Sequence, residues 1–251
     1  MKLALPARAK LNLDLAVLNR RADGMHELRT HMESIDLHDL LEAETADETS
    51  LSVTGIDVPA AAANTVLLAQ AALETTVGRP LPAKFTLHKR IPPGSGLGGA
   101  SSDAAATLRA LVSIHCLDVD LRQVAPTVGA DVAFFVRGGS ALIEGAGERM
   151  TPVAATGGWF ALAWPGIELS TAAVYRAWDE VSGEGSNQLR RAAGHVDKRI
   201  DEFAARLGPG WQMTGSGSAF FRHCAQREEA ASATSRLECW TTVSQAVGAW
   251  A

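Results

Sequence analysis

The stretch that most narrows what this chain can become runs from Pro92 to Asp103. It reads Pro-Pro-Gly-Ser-Gly-Leu-Gly-Gly-Ala-Ser-Ser-Asp, with four glycines inside six residues. Glycine lacks the Cβ that would keep backbone N–H groups away from an anion. Ahead of this stretch, Lys84 to Ile91 reads as a strand. Behind it, Ala104, Leu108, Leu111, Val112 and His115 recur at the spacing of one helix face. A helix beginning near Ser101 would add its unpaired N–H groups and the positive end of its dipole. Pro92, Pro93, Gly94, Ser95, Gly96, Leu97, Gly98, Gly99, Ala100, Ser101 and Ser102 are therefore candidate contacts for a polyphosphate.

Three readings of this loop compete. A flexible turn before a serine-capped helix is the plain one, and the density of glycine with paired prolines and serines makes it a minority one. Gly94 to Gly99 also satisfies the Gly-x-Gly-x-x-Gly spacing of a dinucleotide turn. That turn follows a buried apolar strand, whereas this one follows His88, Lys89, Arg90 and two prolines. Asp118 and Asp120 stand near the spacing of a ribose-binding acid, which keeps the dinucleotide reading open. A Walker A loop is excluded, because no Gly-Lys-Ser/Thr follows.

Composition bounds the partners. The chain has 251 residues, a formal net charge of -5 and an isoelectric point near 5.8, which argues against a broad nucleic-acid surface. No apolar run approaches a membrane span, and Arg8 and Lys10 interrupt any signal-peptide core. Cys116, Cys224 and Cys239 are odd in number and far apart, so they suggest neither a disulfide framework nor a metal pair. A reducing cytoplasm fits best. The expected partner is a small-molecule substrate, with no nucleic acid and no membrane; the oligomeric state is left open.

Along the chain, alternation at Leu11, Leu13, Leu15 and Val17 predicts a strand, and Asn19 to Gly24 a turn. Strands are expected near 26–34, 38–43 and 51–54, and a helix from an Asn64 cap to about Thr76, closed by Gly78. A short helix over 121–128, an apolar stretch over 131–136 and a hairpin from Gly138-Gly139 to Val153 follow. Then come a strand at 159–164, helices at 171–181 and 187–207, a turn at Gly215–Gly217, a helix at 228–237 and a closing strand. Mixed strands and helices without strict alternation point to an α+β fold, with the softest boundary at 152–158.

The loop, read as Pro-x-Gly-x-Gly-Leu-Gly-Gly-x-Ser-Ser-x-Ala-Ala, resembles the central motif of the GHMP small-molecule kinases. Two further motifs appear in order. Pro6-Ala-Arg-Ala-Lys10-Leu-Asn12-Leu resembles the family's N-terminal element, with two extra residues. Met213-Thr-Gly215-Ser-Gly217-Ser is similar to its C-terminal glycine loop. Within the superfamily, Arg21-Ala-Asp23-Gly24-Met25-His26-Glu27-Leu28, Gly129-Ala-Asp131-Val-Ala133-Phe-Phe135, Gly145-Ala-Gly147-Glu148 and Ser186-Asn187-Gln-Leu189 resemble the branch acting on 4-diphosphocytidyl-2-C-methyl-D-erythritol. Met25 stands where that branch usually has a tyrosine that stacks on cytosine, and Ala133 where it usually has proline.

The resemblance implies a two-domain α+β fold. Residues 1–153 would be an ATP-binding domain like the second domain of ribosomal protein S5, and 154–251 a ferredoxin-like domain. It implies ATP and Mg²⁺ as cofactors and phosphorylation of the substrate's 2-hydroxyl, in non-mevalonate isoprenoid synthesis. Asp131 would be the base and Lys10 the cation on the transferring phosphoryl. Asn12, Met25, His26, Thr171 and Tyr175 would contact substrate; Asn64 and Lys89 would lie on the nucleotide side, and Ser102 is a candidate Mg²⁺ ligand. Without the resemblance, Asp131 and Asn64 read as helix caps, Lys10 and Lys89 as surface lysines, and Tyr175 as a core aromatic. Another GHMP kinase, acting on mevalonate, homoserine or a sugar, and a non-catalytic relative remain the alternatives.

Overall fold

The computed structural model describes residues 1–22, 24–56 and 64–250. Asp23, part of the Arg-x-Asp-Gly-x-His stretch, lies outside the described residues. The first sheet holds seven strands: β1 (Lys2–Asn12), β2 (Ala16–Arg20), β3 (His26–Thr45), β4 (Ser50–Gly55), β5 (Ala83–Lys89), β6 (Ser140–Gly145) and β7 (Arg149–Pro152). Among the described strands only β4 and β5 pair in parallel, so the α+β expectation holds.

The axis of this sheet is β3, one 20-residue strand where the local pattern predicts two. Along one edge it pairs with β2 and then β1; along the other, with β6 and then β5. The stretch between the two expected strands is tied to distant parts of the chain. Ser34 N–H donates to Gly139 O at 2.8 Å, and Asp36 accepts from Gln245 N–H at 3.0 Å. Tertiary pairing has overridden local pattern. The strand expected across Leu11–Val17 is correspondingly broken, since Leu15 pairs with Asn187 between β1 and β2.

Helices α1 (Thr65–Val77), α2 (Gly99–Ile114), α3 (Leu121–Val128) and α4 (Val132–Arg137) share one core with this sheet. The caps of α1 are as expected: Asn64 Oδ1 accepts from Val66 N–H at 3.0 Å, and Gly78 closes the helix with φ +69°. Helix α2 is buried on more than one face, with Ala104, Ala105, Ala106 and Ala110 all inside. Such small side chains let neighbouring backbone come close.

A second, four-stranded antiparallel sheet contains β8 (Trp159–Trp164), β9 (Gln212–Met213), β10 (Phe220–Cys224) and β11 (Trp240–Gln245), in the order β11-β8-β10-β9. Helices α5 (Thr171–Val181), α6 (Arg190–Val196), α7 (Arg199–Leu207) and α8 (Arg227–Thr234) accompany it. The single helix expected over 187–207 is divided at Asp197, which turns extended and caps Arg199 N–H through its carboxylate at 2.9 Å. No helix among the described residues is long and apolar enough to cross a membrane.

Candidate active site

The glycine loop leaves β5 at Pro92-Pro93 and enters α2 through Gly98, whose φ of +77° favours glycine. Its shape is fixed from within and from outside. The Ser95 hydroxyl donates to Pro92 O at 2.6 Å, and Ser95 O accepts from Ala219 N–H at 2.9 Å. A cavity of about 910 Å³ opens over it, and Pro92, Pro93, Gly94, Ser95, Gly96, Gly98, Gly99, Ala100 and Ser101 line that cavity. Leu97 and Ser102 do not: both are buried, Ser102 at the first turn of α2. Of the paired serines at the start of α2, Ser101 is the one whose residue lines the cavity.

Lys10 comes to the same cavity near the end of β1. Its Nζ donates to Asn12 Oδ1 and to Gly96 O, each at 2.6 Å, and lies 4.0 Å from Asp131 Oδ2. Its side chain is 5% exposed, so it is no surface lysine. Burial pulls its pKa below the ordinary lysine value, and the Asp131 charge opposes that pull. Asp131 sits at the N-cap position of α4, yet its side chain makes no capping bond. Its carboxylate, a third exposed, faces the cavity instead.

Asn12 is a brace in this arrangement. Its Oδ1 accepts from Lys10 and its Nδ2 donates to Thr30 Oγ1 at 2.8 Å, so both side-chain atoms already have protein partners. The second glycine loop closes around them: a Cβ on Gly215 would stand 3.0 Å from Lys10 Nζ and 3.1 Å from Asn12 Oδ1. Asn187 holds that loop by donating to Met213 O at 2.7 Å and Gly215 O at 2.9 Å. Asn64 reaches the cavity as well as capping α1.

Beneath the loop, Lys89 is buried between Asp39 and Asp103, the latter at 2.6 Å. Burial works to lower the Lys89 pKa, but Asp103 and Asp39 together outweigh it and hold it raised. Burial pushes the Asp103 carboxyl up to about 8 despite the ammonium, and Asp39 adds to the rise. Lys89, Asp39 and Asp103 form one buried trio. Asp39 Oδ1 also accepts from Arg90 N–H at 2.5 Å and Ile91 N–H at 2.8 Å, so the trio fixes how the chain enters the loop. Lys89 and Asp103 also line the cavity, with the Lys89 ammonium held between the two carboxylates, and motif spacing gave no sign of Asp39.

At another part of the cavity wall, His26 and Tyr175 stack with centroids 5.0 Å apart, and Trp178 meets His26 edge-on at 5.6 Å. The two rings pack on each other, which leaves no room for a base between them. His26 Nε2 is 2.6 Å from Asp179 Oδ1, a partner the sequence did not suggest. Burial, then the charge of Asp131, pushes the Tyr175 hydroxyl up to about 12. Met25 lines the cavity and is half exposed. Thr171 Oγ1 is 2.9 Å from Ser216 Oγ, which ties the start of α5 to the second glycine loop.

With a glycine loop that opens a buried helix and a buried lysine facing an aspartate across one cavity, residues 60–139 match the GHMP kinases N terminal domain. The 4-diphosphocytidyl-2-C-methyl-D-erythritol kinase of Chromohalobacter salexigens is 37% identical over 252 residues, spanning 88% of this chain and 82% of that protein. The protein of the same name from Deinococcus radiodurans is 43% identical over 192 residues, 74% of this chain and 64% of that one. A crystal structure of 4-(cytidine 5'-diphospho)-2C-methyl-D-erythritol kinase superposes with a TM-score of 0.83 at 32% identity, covering 98% of this chain and all of that one. The chain belongs to the 4-diphosphocytidyl-2-C-methyl-D-erythritol kinase family within the GHMP kinases.

Proposed function

We propose that this chain transfers the γ-phosphoryl group of ATP to the 2-hydroxyl of 4-diphosphocytidyl-2-C-methyl-D-erythritol, in non-mevalonate isoprenoid synthesis. The observation that carries the reading is the Lys10–Asp131 pair, 4.0 Å apart, on the wall of the cavity that the glycine loop lines. Phosphoryl transfer asks little covalent chemistry of a protein; it asks for position and for charge placed where the transition state needs it. The loop N–H groups and the start of α2 cradle the phosphates. The Asp131 carboxylate accepts the proton of the attacking hydroxyl. Lys10, already aimed by Asn12 and Gly96, stabilises charge on the group in transit.

Mg²⁺ is proposed to arrive with the nucleotide. Among the described residues no cluster of three or more histidine, cysteine or acidic side chains is placed to hold a metal. The phosphates would therefore supply most of its oxygen ligands, with the hydroxyls of Ser101 and Ser102 at the start of α2 as the proposed protein-side candidates. When bound, the ion neutralises phosphate charge.

Recognition of the cytidine end falls to the ring cluster. With Nε2 donating to Asp179, Nδ1 of a neutral His26 is left an acceptor, suited to an exocyclic amine such as that of cytosine. Since His26 and Tyr175 stack on each other, the base meets the cavity side of the pair, with Met25 beside it. On this reading residues 1–153 are the ATP-binding domain and 154–251 the second domain. The free thiols Cys116, Cys224 and Cys239 agree with a reducing cytoplasm.

The test is ATP turnover against cytidylylated and free polyols, with the product phosphate located by NMR. Phosphorylation of the cytidylylated compound at its 2-hydroxyl is expected. Turnover of a free alcohol such as mevalonate or homoserine instead would keep the kinase and discard the cytidine reading.

A further inference from the structure

Trp250 does not line the cavity, yet it joins the two elements that carry the Lys10–Asp131 pair. Its backbone N–H donates to Arg137 O at 3.0 Å, and its Nε1–H donates to Phe135 O at 2.9 Å. Both acceptors belong to the last turn of α4, where helix carbonyls lack intrahelical donors. Asp131 stands at the other end of that same six-residue helix. So short a helix holds no fixed place unless its surroundings supply one.

The indole itself is anchored by cations. Arg8 Cζ lies 3.7 Å and Arg109 Cζ 4.0 Å from the ring centroid, within cation–π range. Arg8 belongs to β1, two residues before Lys10, and its Nη1 donates to Gly248 O at 2.9 Å. Arg109 belongs to α2, the helix that opens at the glycine loop. The segment leading to Trp250 is pinned as well: Ala246 bridges Ile35, Ala249 bridges Gly138, and Val247 N–H donates to Ser34 O at 2.9 Å. Phe135 completes the path, since its ring packs under Gly98, where a Cβ would stand 2.7 Å from Cζ.

We infer that Trp250 is a positioning residue for phosphoryl transfer: by tying the last turn of α4 to β1 and α2, it sets the gap between Lys10 and Asp131. The inference rests on the roles proposed above for those two residues. Misplacing a reacting group by about 1 Å can cost roughly 100-fold in rate. Loss of the tie should therefore appear in kcat and not in binding.

The experiment compares kcat, KM and thermal midpoint for Trp250→Phe and Trp250→Ala, alone and combined with Asp131→Asn, using ATP and the cytidylylated alcohol. Trp250→Phe keeps an aromatic face but has no Nε1–H, and a several-fold fall in kcat is expected. Trp250→Ala should lower kcat roughly 10- to 100-fold, with both KM values within about twofold of the parent. Combined with Asp131→Asn, neither change should cause a further loss, because both act through one group. An undiminished further loss in the double variant, or a raised KM at unchanged kcat, overturns the positioning role. Near-normal turnover in Asp131→Asn alone overturns the base assignment itself, and so is told apart from a failure of Trp250. Should Trp250→Ala not fold, the Trp250→Phe single and double variants decide the matter by the same comparison.

Discussion

Lys10 is buried, and burial works against its charge, while the role proposed for it in phosphoryl transfer needs that charge present. The nearby Asp131 carboxylate and the acceptors Asn12 Oδ1 and Gly96 O offset part of that cost. Because the Lys10 pKa lies below the ordinary lysine value, turnover should fall at high pH earlier than an exposed lysine would dictate. Lys10→Arg should move that limb to higher pH, a shift readable in kcat against pH. Asp131→Asn and Lys10→Ala should each cut kcat by orders of magnitude with far smaller changes in ATP affinity. Near-normal kcat in either variant would remove that residue from the mechanism. Met25→Tyr should lower KM for the cytidylylated substrate by up to about tenfold at unchanged kcat, since an aromatic stack adds roughly 0.5–1.5 kcal/mol beyond area burial. An unchanged KM would place the base away from Met25. At this scale legibility was uneven. Lys10, Asp131 and His26 were visible through motifs, but Asp39, Asp179 and Trp250 reach their places only through the fold, 50 or more residues from their partners Lys89, His26 and Phe135.

Elements set the geometry in which those residues act, and the loop between β5 and α2 is the clearest case. Its strand–loop–helix order was legible because glycine density, the prolines and the helical spacing are all local signals. The direction in which each glycine faces was not. A side chain on Gly98 would run into the ring of Phe135 and not into an open phosphate path, and the φ of +77° adds strain. Gly98→Val should therefore cost stability as well as nucleotide binding, with a lowered thermal midpoint. A midpoint equal to the parent's would show that the loop gives way more readily than its packing implies. The same two elements are joined beneath the loop by Lys89 in β5 and Asp103 in α2. A carboxyl whose folded pKa of about 8 exceeds its ordinary 3.8 holds its proton more tightly when folded. Its contribution to stability is full at acid pH and is lost as pH rises through about 8. Asp103→Asn, which mimics the neutral form, should flatten the decline of thermal midpoint across pH 5 to 8, a range taken from that shift. An unaltered decline would place the proton elsewhere in the trio.

The whole molecule is bound by a core that both sheets share. Ala9, Leu11, Ile35, Ile91 and Leu97 come from the part of the chain that builds the first sheet and the glycine loop; Phe160, Leu162, Ala219 and Phe221 come from the second. Buried polar ties accompany it. Asp36 in β3 accepts from Gln245 N–H, and Glu33 accepts from Thr156 N–H at 3.0 Å. Sequence pattern located most of the strands in this cluster, but periodicity marks only which face of a strand is apolar, not which other face covers it. The parts of the chain on either side of Pro152 to Gly158, the softest boundary in the sequence, both contribute to this cluster. Such sharing has a thermodynamic consequence. Phe160, fully buried and packed edge-on against Phe221 at 6.0 Å, cannot be cut back without loosening both sheets at once. Phe160→Ala should cost about 3–5 kcal/mol. That loss should move one cooperative transition, with far-UV circular dichroism and intrinsic tryptophan fluorescence reporting the same midpoint. Two separated transitions, only one displaced by the substitution, would mean that each sheet folds on its own.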